Sequence, residues 1–167
     1  MGALARRGSV SWTTLTGASG IVLHDGRLLM IRQRRPYGVH WEFPSGYYEA
    51  GETLEQTAAR EVLEETSIAV TVEELVCTMT WEREHDRRRN VLAFFLATPV
   101  DPALTPQGQS EEDIDEALYA DPAELMAEIH PLDRAILERW WDTRVTGFHV
   151  HADVSVQPDG TQSYVFS

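Results

Sequence analysis

Residues 46–68, GYYEAGETLEQTAAREVLEETSI, constrain this chain more than any other stretch. Leu54, Ala58 and Val62 recur at i, i+4 and i+8, the spacing of one helical face, and predict a helix over 54–66. Residues three and four apart on a helix are neighbours, with Cβ atoms about 5–6 Å apart. Glu61, Glu64 and Glu65 therefore project from one side, across an arc of roughly 100°. Like charges so placed repel by a few tenths of a kcal/mol per i, i+4 pair. A hard divalent cation reverses that sign, because magnesium takes oxygen ligands in near-octahedral geometry and keeps several waters. It also bridges phosphate oxygens and lowers the pKa of a bound water. The competing reading is a solvated glutamate face, since Glu is a good helix former. Three glutamates alone do not decide between the two.

The rest of the chain reads as strands with few helices. Residues 14–24 form a strand, Asp25-Gly26 is a hairpin turn, and residues 28–32 return. Trp41, Phe43 and Pro44 form an extended piece leading into a Gly-containing loop. Strands follow over 69–81 and 90–98, separated by a charged turn at 82–90, and a loop spans 101–110. A strand over 114–119, a short helix over 122–127 and a longer helix over 131–141 come next. Pro131 suits the first helical position, where its missing N–H costs nothing. The C-terminus alternates at Phe148, Val150, Ala152, Val154 and Val156, then turns at Pro158-Asp159-Gly160, predicting a hairpin. No internal repeat is present. Strands interleaved with helices indicate an α/β or α+β domain.

The 167 residues suit one compact domain, and 43% hydrophobic content is enough for a core. The expected organisation is a flexible tail at 1–13, carrying Arg6 and Arg7, followed by one domain over 14–167. The formal net charge of -13 argues against binding a long nucleic-acid backbone, which calls for a basic face. An acidic protein can still act on phosphates if a metal ion supplies the positive charge. The lone Cys77 excludes an internal disulfide and reads as a buried, inert thiol. No apolar run has signal-peptide or membrane-span length, so a cytoplasmic protein is expected.

Spacing resolves the ambiguity of the glutamates. Gly46 is followed after five residues by Glu52 and after seven more by Arg60. Then come Glu61, the apolar Val62, Leu63, the pair Glu64-Glu65, and Ile68. This resembles the Nudix box of the Nudix hydrolase family (MutT-like proteins). Six specified positions match, an agreement expected by chance on the order of once in ten million starting positions. The flank from Trp41 to Gly46 is similar to the family's W-x-x-P-G-G, with Ser45 in place of a glycine. Glu49, Gly51 and Glu52 resemble its E-x-G-E. The likeness covers roughly residues 14–142 and leaves the last 25 or so without a counterpart. Ser67 stands where the box has glycine, a residue that closes helices in a left-handed conformation. A non-glycine residue there costs about 1–2 kcal/mol.

The resemblance implies an α/β/α sandwich with a mixed central sheet. It also implies Mg²⁺, with Mn²⁺ able to substitute, held by Glu61, Glu64 and Glu65 and by the backbone carbonyl of Gly46. One glutamate is the general base, and the sequence does not say which. Glu52 and Arg60 resemble the family's structural pair, and Glu52 also complements the helix dipole. A further carboxylate is sought among Glu111, Glu112 and Glu116, with Glu112 favoured among the three, although a solvated charge run is at least as common a role for any one of them. Arg32, Arg34, Arg35, Arg83 and residues 87–89 are candidates to fork onto phosphates, each individually more often a surface charge. Tyr37, Trp41 and Trp81 are candidates to stack on a base, with core packing the commoner role for any one of them. His149 and His151 share a strand face and read as exposed residues, because four metal ligands are not evident.

The reaction implied is attack of water on a phosphorus, cutting a diphosphate bond in a nucleoside diphosphate linked to a group X. A family marker after the box distinguishes some substrates, proline for ADP-ribose and tyrosine for dinucleoside polyphosphates. Arg83 and Glu84 occupy that region here. Nucleoside triphosphates are left as the default, with ADP-ribose and nucleotide sugars open. The alternative is a non-catalytic nucleotide-binding sensor of the same fold, against which the intact carboxylates argue. A Nudix-fold isomerase is a third class without a second catalytic constellation to support it. The expected partner is a small nucleotide, not a membrane. Family members often form homodimers, and the C-terminal hairpin is a candidate interface.

Overall fold

The computed structural model describes residues 11–110 and 113–167. Residues 1–10 of the expected tail, and Glu111 and Glu112, lie outside the described residues. Among the described residues, nine strands and three helices follow in the order β1 (Thr13–His24), β2 (Arg27–Arg35), β3 (Gly38–Glu42), β4 (Ser45–Tyr47), α1 (Leu54–Thr66), β5 (Val70–Arg83), β6 (Arg88–Pro99), β7 (Ile114–Ala120), α2 (Pro122–Leu125), α3 (Pro131–Trp140), β8 (Phe148–Val156) and β9 (Gln162–Phe166). The sheet runs β3-β2-β1-β6-β5-β8-β9, with β4 added to β1 and β7 to β2. It is mixed, because β1 with β6 and β5 with β8 are parallel pairs while the others are antiparallel.

Alternation along the strands builds two cores. Ile21, Met30, Met79 and Phe94 pack with Leu132, Ile136, Leu137 and Trp140 of α3. Their neighbours Val22, Leu29 and Ala97 face the other way and pack with Val62 of α1. The sheet is thus sandwiched between α1 and α3, as the period-2 pattern of the strands requires. Gly20 lets α1 seat closely, since a β-carbon there would lie 2.4 Å from Val62 Cγ2. The start of α1 is fixed by a capping box: the Gln56 N–H donates to Thr53 Oγ1, and the Thr53 N–H to Gln56 Oε1. Among the described residues, no helix is long and apolar enough to cross a membrane.

The predicted helix over 54–66 and the Asp25-Gly26 turn are both found, the latter with φ of 49° and 74°. Cys77 is buried, and burial pushes its thiol up to about 12, which makes it unreactive. The charged turn expected at 82–90 is shorter. Glu82 faces Arg89 across the β5–β6 ladder and pairs with it, and Arg83 pairs with Asp86. Cross-strand opposite charges extend the hairpin almost to its tip. The short helix stops at Leu125 and not at 127, and a turn follows in which the N–H groups of Glu128 and Ile129 both donate to the Leu125 carbonyl.

Ser67 caps α1 in the left-handed region, φ 61° and ψ 16°, with its N–H donating to the Leu63 carbonyl. Gln109 Nε2 donates to its hydroxyl over 2.9 Å. Ser67→Gly removes the backbone strain and forfeits that exposed bond. A net gain of about 1 kcal/mol is expected, read as a rise of roughly 2–4 °C in calorimetric Tm for a chain of this size. A fall in Tm would mean that the Gln109 bond outweighs the strain.

Candidate active site

Arg60 organises the carboxylates of α1. Its Nε donates to Glu52 Oε1 over 2.7 Å and its Nη2 to Glu52 Oε2 over 3.2 Å. Nη1 reaches Glu61 at 2.7 Å and Glu64 at 2.9 Å, and Nη2 also donates to the Tyr47 carbonyl at 3.0 Å. One guanidinium therefore ties the helix to the loop before it and to β4. The Arg60 hydrogen bonds, with help from the Thr57 hydroxyl, hold the Glu52 carboxyl down to about 2. Glu52 and Arg60 form the pair the sequence anticipates, and Arg60 is spent on carboxylates rather than left facing a ligand.

The two inward glutamates differ from Glu64. Glu65 is 8% exposed, and its Oε2 accepts the Ser45 N–H over 2.8 Å. Burial pushes its carboxyl well above the usual range. The Ser45 hydrogen bond and Arg35 oppose this, while the neighbouring Glu61 and Glu42 add to it. The Glu61 carboxylate rests against Gly46, where a β-carbon would lie 2.1 Å from Oε1; only glycine leaves this space. The Gly46 carbonyl lies against the α-carbon of Gly17. Glu64 sits at the rim, its side chain 55% exposed and turned to Arg60. Among the described residues, no three His, Cys, Asp or Glu side chains converge on a single point. The donor set nonetheless fits a hard divalent cation: it is all oxygen, it is anionic, and its most buried member is destabilised by its neighbours' charge.

Two clefts meet beside these residues. The smaller, of about 450 Å³, is polar and contains Glu61, Glu65 and Gln33. The larger, of about 530 Å³, contains Trp81, Asn90, Asp133 and Tyr164. Both are bounded by residues 35–36 and 45–47, so the two adjoin, and the acidic and aromatic clefts are together termed the trough. Arg35 lies at the junction, its Nη2 donating to Glu42 Oε2 over 2.7 Å.

The structure sorts the remaining candidates. Tyr37 and Trp81 line the larger cleft, whereas Trp41 is buried in the core. Arg83 and Arg88 also line that cleft. Arg34 pairs with Asp115, and Arg89 with Glu82. Arg32 is exposed on β2, opposite the exposed Glu116 of β7. His149 is exposed and bonded to Thr78 Oγ1. Glu112 lies outside the described residues.

Sequence reasoning missed Glu42, Asn90, His130, Asp133, Gln162 and Tyr164, all of which line the larger cleft. Asn90 accepts the Tyr47 hydroxyl at 3.1 Å. Asp133 lies in the first turn of α3 and accepts the Phe43 N–H at 3.3 Å. Its carboxyl is pushed well up by burial and by Glu42. An acidic residue just after Pro131, on the buried face of an amphipathic helix, was a usable signal for Asp133; the others carry none.

Comparison with known proteins agrees with this geometry. Residues 14–140 match the family model of the NUDIX domain. A MutT-like protein of Streptomyces ambofaciens is 53% identical over 58 residues, 35% of this chain and 36% of that protein. An 8-oxo-dGTP diphosphatase of Proteus vulgaris is 38% identical over 86 residues, 48% of this chain and 73% of that protein. The chain thus spans little more than a third of the Streptomyces relative. The crystal structure of a NUDIX hydrolase from Nitrosomonas europaea superposes with a TM-score of 0.69 at 23% identity, covering 86% of this chain and 81% of that one, which establishes the shared fold. With the box residues gathered around Arg60 and the family match spanning both cores of the sandwich, this chain belongs to the MutT-like Nudix family.

Proposed function

We propose that the protein is a Mg²⁺-dependent pyrophosphohydrolase, with Mn²⁺ able to substitute, that uses water to cut a diphosphate bond in a nucleoside diphosphate linked to X. The observation that carries this reading is the shared wall, at residues 35–36 and 45–47, between the acidic cleft at Glu61 and Glu65 and the aromatic cleft at Tyr37 and Trp81. A nucleotide is polyanionic at one end and planar at the other; a divalent cation held at the acidic cleft would meet the first and the aromatic cleft the second. Nucleoside triphosphates are the favoured substrates, in line with the name of the Proteus relative; ADP-ribose and nucleotide sugars are retained in the test.

Glu61, Glu64, Glu65 and the Gly46 carbonyl are assigned to the cation, with Glu112 as an added carboxylate. When bound, the cation would neutralise phosphate charge and acidify a water. Arg60 and Glu52 are positioning residues that hold Glu61 and Glu64 in place. Arg35 and Arg88 are assigned to phosphate oxygens, which guanidinium groups bind bidentately. One of the box glutamates would take the proton from the attacking water. Residues 14–167 are read as one unit acting on small nucleotides in the cytoplasm.

The test is product release from a panel of nucleoside triphosphates, ADP-ribose and nucleotide sugars, with Mg²⁺ and with chelator. Metal-dependent turnover of at least one class is expected, giving a nucleoside monophosphate. Tight nucleotide binding with no turnover on any compound would replace the hydrolase by a sensor.

A further inference from the structure

The family match ends at residue 140, yet the larger cleft is completed by residues beyond it. β8 joins the sheet beside β5, and its inward side chains Phe148, Val150, Ala152 and Val154 are buried. The same face continues outward. Val154 pairs across the hairpin with Tyr164, and Val156 with Gln162. Side chains directly opposite on antiparallel strands share a face, and all four line the cleft.

We propose that the β8–β9 hairpin forms a wall of the substrate trough, and that Gln162 and Val156 on it determine which planar, uncharged heterocycle the enzyme accepts. This rests on the hydrolase reading only for the identity of the reaction; the binding claim stands on the cleft itself.

A directed chain of hydrogen bonds fixes the orientation of Gln162. The Leu132 N–H donates to His130 Nδ1 over 3.3 Å, so that nitrogen is unprotonated. Burial depresses the His130 pKa to about 4, and the neutral ring then carries its proton on Nε2. That N–H donates to the Tyr164 oxygen at 3.1 Å, and the Tyr164 hydroxyl donates to Gln162 Oε1 at 2.6 Å. With its oxygen used, Gln162 has its amide N–H donors left for a ligand acceptor, such as a base carbonyl or ring nitrogen. Tyr37 and Trp81 offer aromatic surface in the same cleft. A flat heterocycle with peripheral acceptors satisfies both kinds of group.

The test compares Gln162→Leu and Val156→Trp with Ser163→Ala, which lies on the opposite, exposed face of the same strand. Each full-length variant is first checked for an unchanged melting curve. KM and kcat are then measured for four nucleoside triphosphates with Mg²⁺, along with inhibition by inorganic pyrophosphate, which has no base. For the first two variants KM should rise roughly tenfold with an altered order of base preference. Their kcat and their pyrophosphate inhibition should stay within about threefold. Ser163→Ala should behave as the parent. If the parent turns over no nucleotide, the same comparison is made on nucleotide dissociation constants from tryptophan fluorescence. A selective loss of binding there sustains the proposal while the hydrolase reading falls. Unchanged KM or affinity and unchanged base preference in folded variants, or no nucleotide binding by the parent, would overturn it.

Discussion

Glu65→Gln is expected to lower Mg²⁺-dependent kcat/KM by on the order of 10²–10⁴-fold while leaving the protein as stable as before or more so. The two directions follow from one fact. Glu65 is 8% exposed and sits beside Glu61 and Glu42, so its ionised form is disfavoured by desolvation and by like charge. Glutamine has nearly the same shape and keeps an oxygen for the Ser45 N–H, which now sits 2.8 Å from Glu65 Oε2. Removing an uncompensated buried charge is neutral to stabilising, whereas the chemistry proposed for this position needs the charge. Glu64→Gln separates the two effects differently. Its exposed pair with Arg60 contributes no more than about 0.5 kcal/mol, so Tm should scarcely move, yet activity should fall if this carboxylate meets the cation. The experiment is steady-state hydrolysis with a parallel thermal melt on each variant. Activity within threefold of the parent for both variants would remove Glu64 and Glu65 from the reaction. A large drop in Tm alongside lost activity would reduce Glu65 to a structural role.

What the sequence revealed depended on whether local spacing or tertiary contact decided the outcome. The α1 face, the Asp25-Gly26 turn and the period-2 strands are set within a few residues, and they appear where the pattern places them. The Glu52–Arg60 pair was legible for the same reason, since both belong to one local motif. The left-handed Ser67 also followed from position, because the helix must end there whatever residue occupies it. The floor of the larger cleft was not legible. His130 and Tyr164 are 34 positions apart and Phe43 and Asp133 are 90 apart, and only the folded sheet brings them together. Trp41 follows the commoner of its two expected roles, since the antiparallel ladder with β2 turns it into the core.

Acidification should destabilise the protein through His130, and the contribution can be isolated. Burial holds the folded-state pKa of His130 at about 4, against roughly 6.5 in the unfolded chain. Between these values the unfolded state binds a proton that the native state does not. The stability this group contributes is therefore fully present above about pH 6.5 and is lost as pH falls toward 4. At about 1.4 kcal/mol per unit the loss sums to roughly 3 kcal/mol. Asp133 and Glu65 act in the opposite sense. Burial raises their folded-state pKa values, so the native state binds their protons first and gains stability as pH falls through those values. The total pH profile is consequently a poor test, and the difference between parent and His130→Asn is a good one. Asparagine remains a competent N-cap for α3, replacing the acceptor that His130 Nδ1 gives to the Leu132 N–H. It forfeits the bond to Tyr164, a pH-independent offset of about 1 kcal/mol. Urea unfolding in chelator from pH 7.5 to pH 4 should show the parent losing roughly 3 kcal/mol relative to the variant, about one proton per molecule at the steepest point. Parallel curves would mean that His130 takes up its proton in the folded protein as readily as in water. The neutral ring, whose Nδ1 accepts the Leu132 N–H, would then no longer be the only form present near neutral pH.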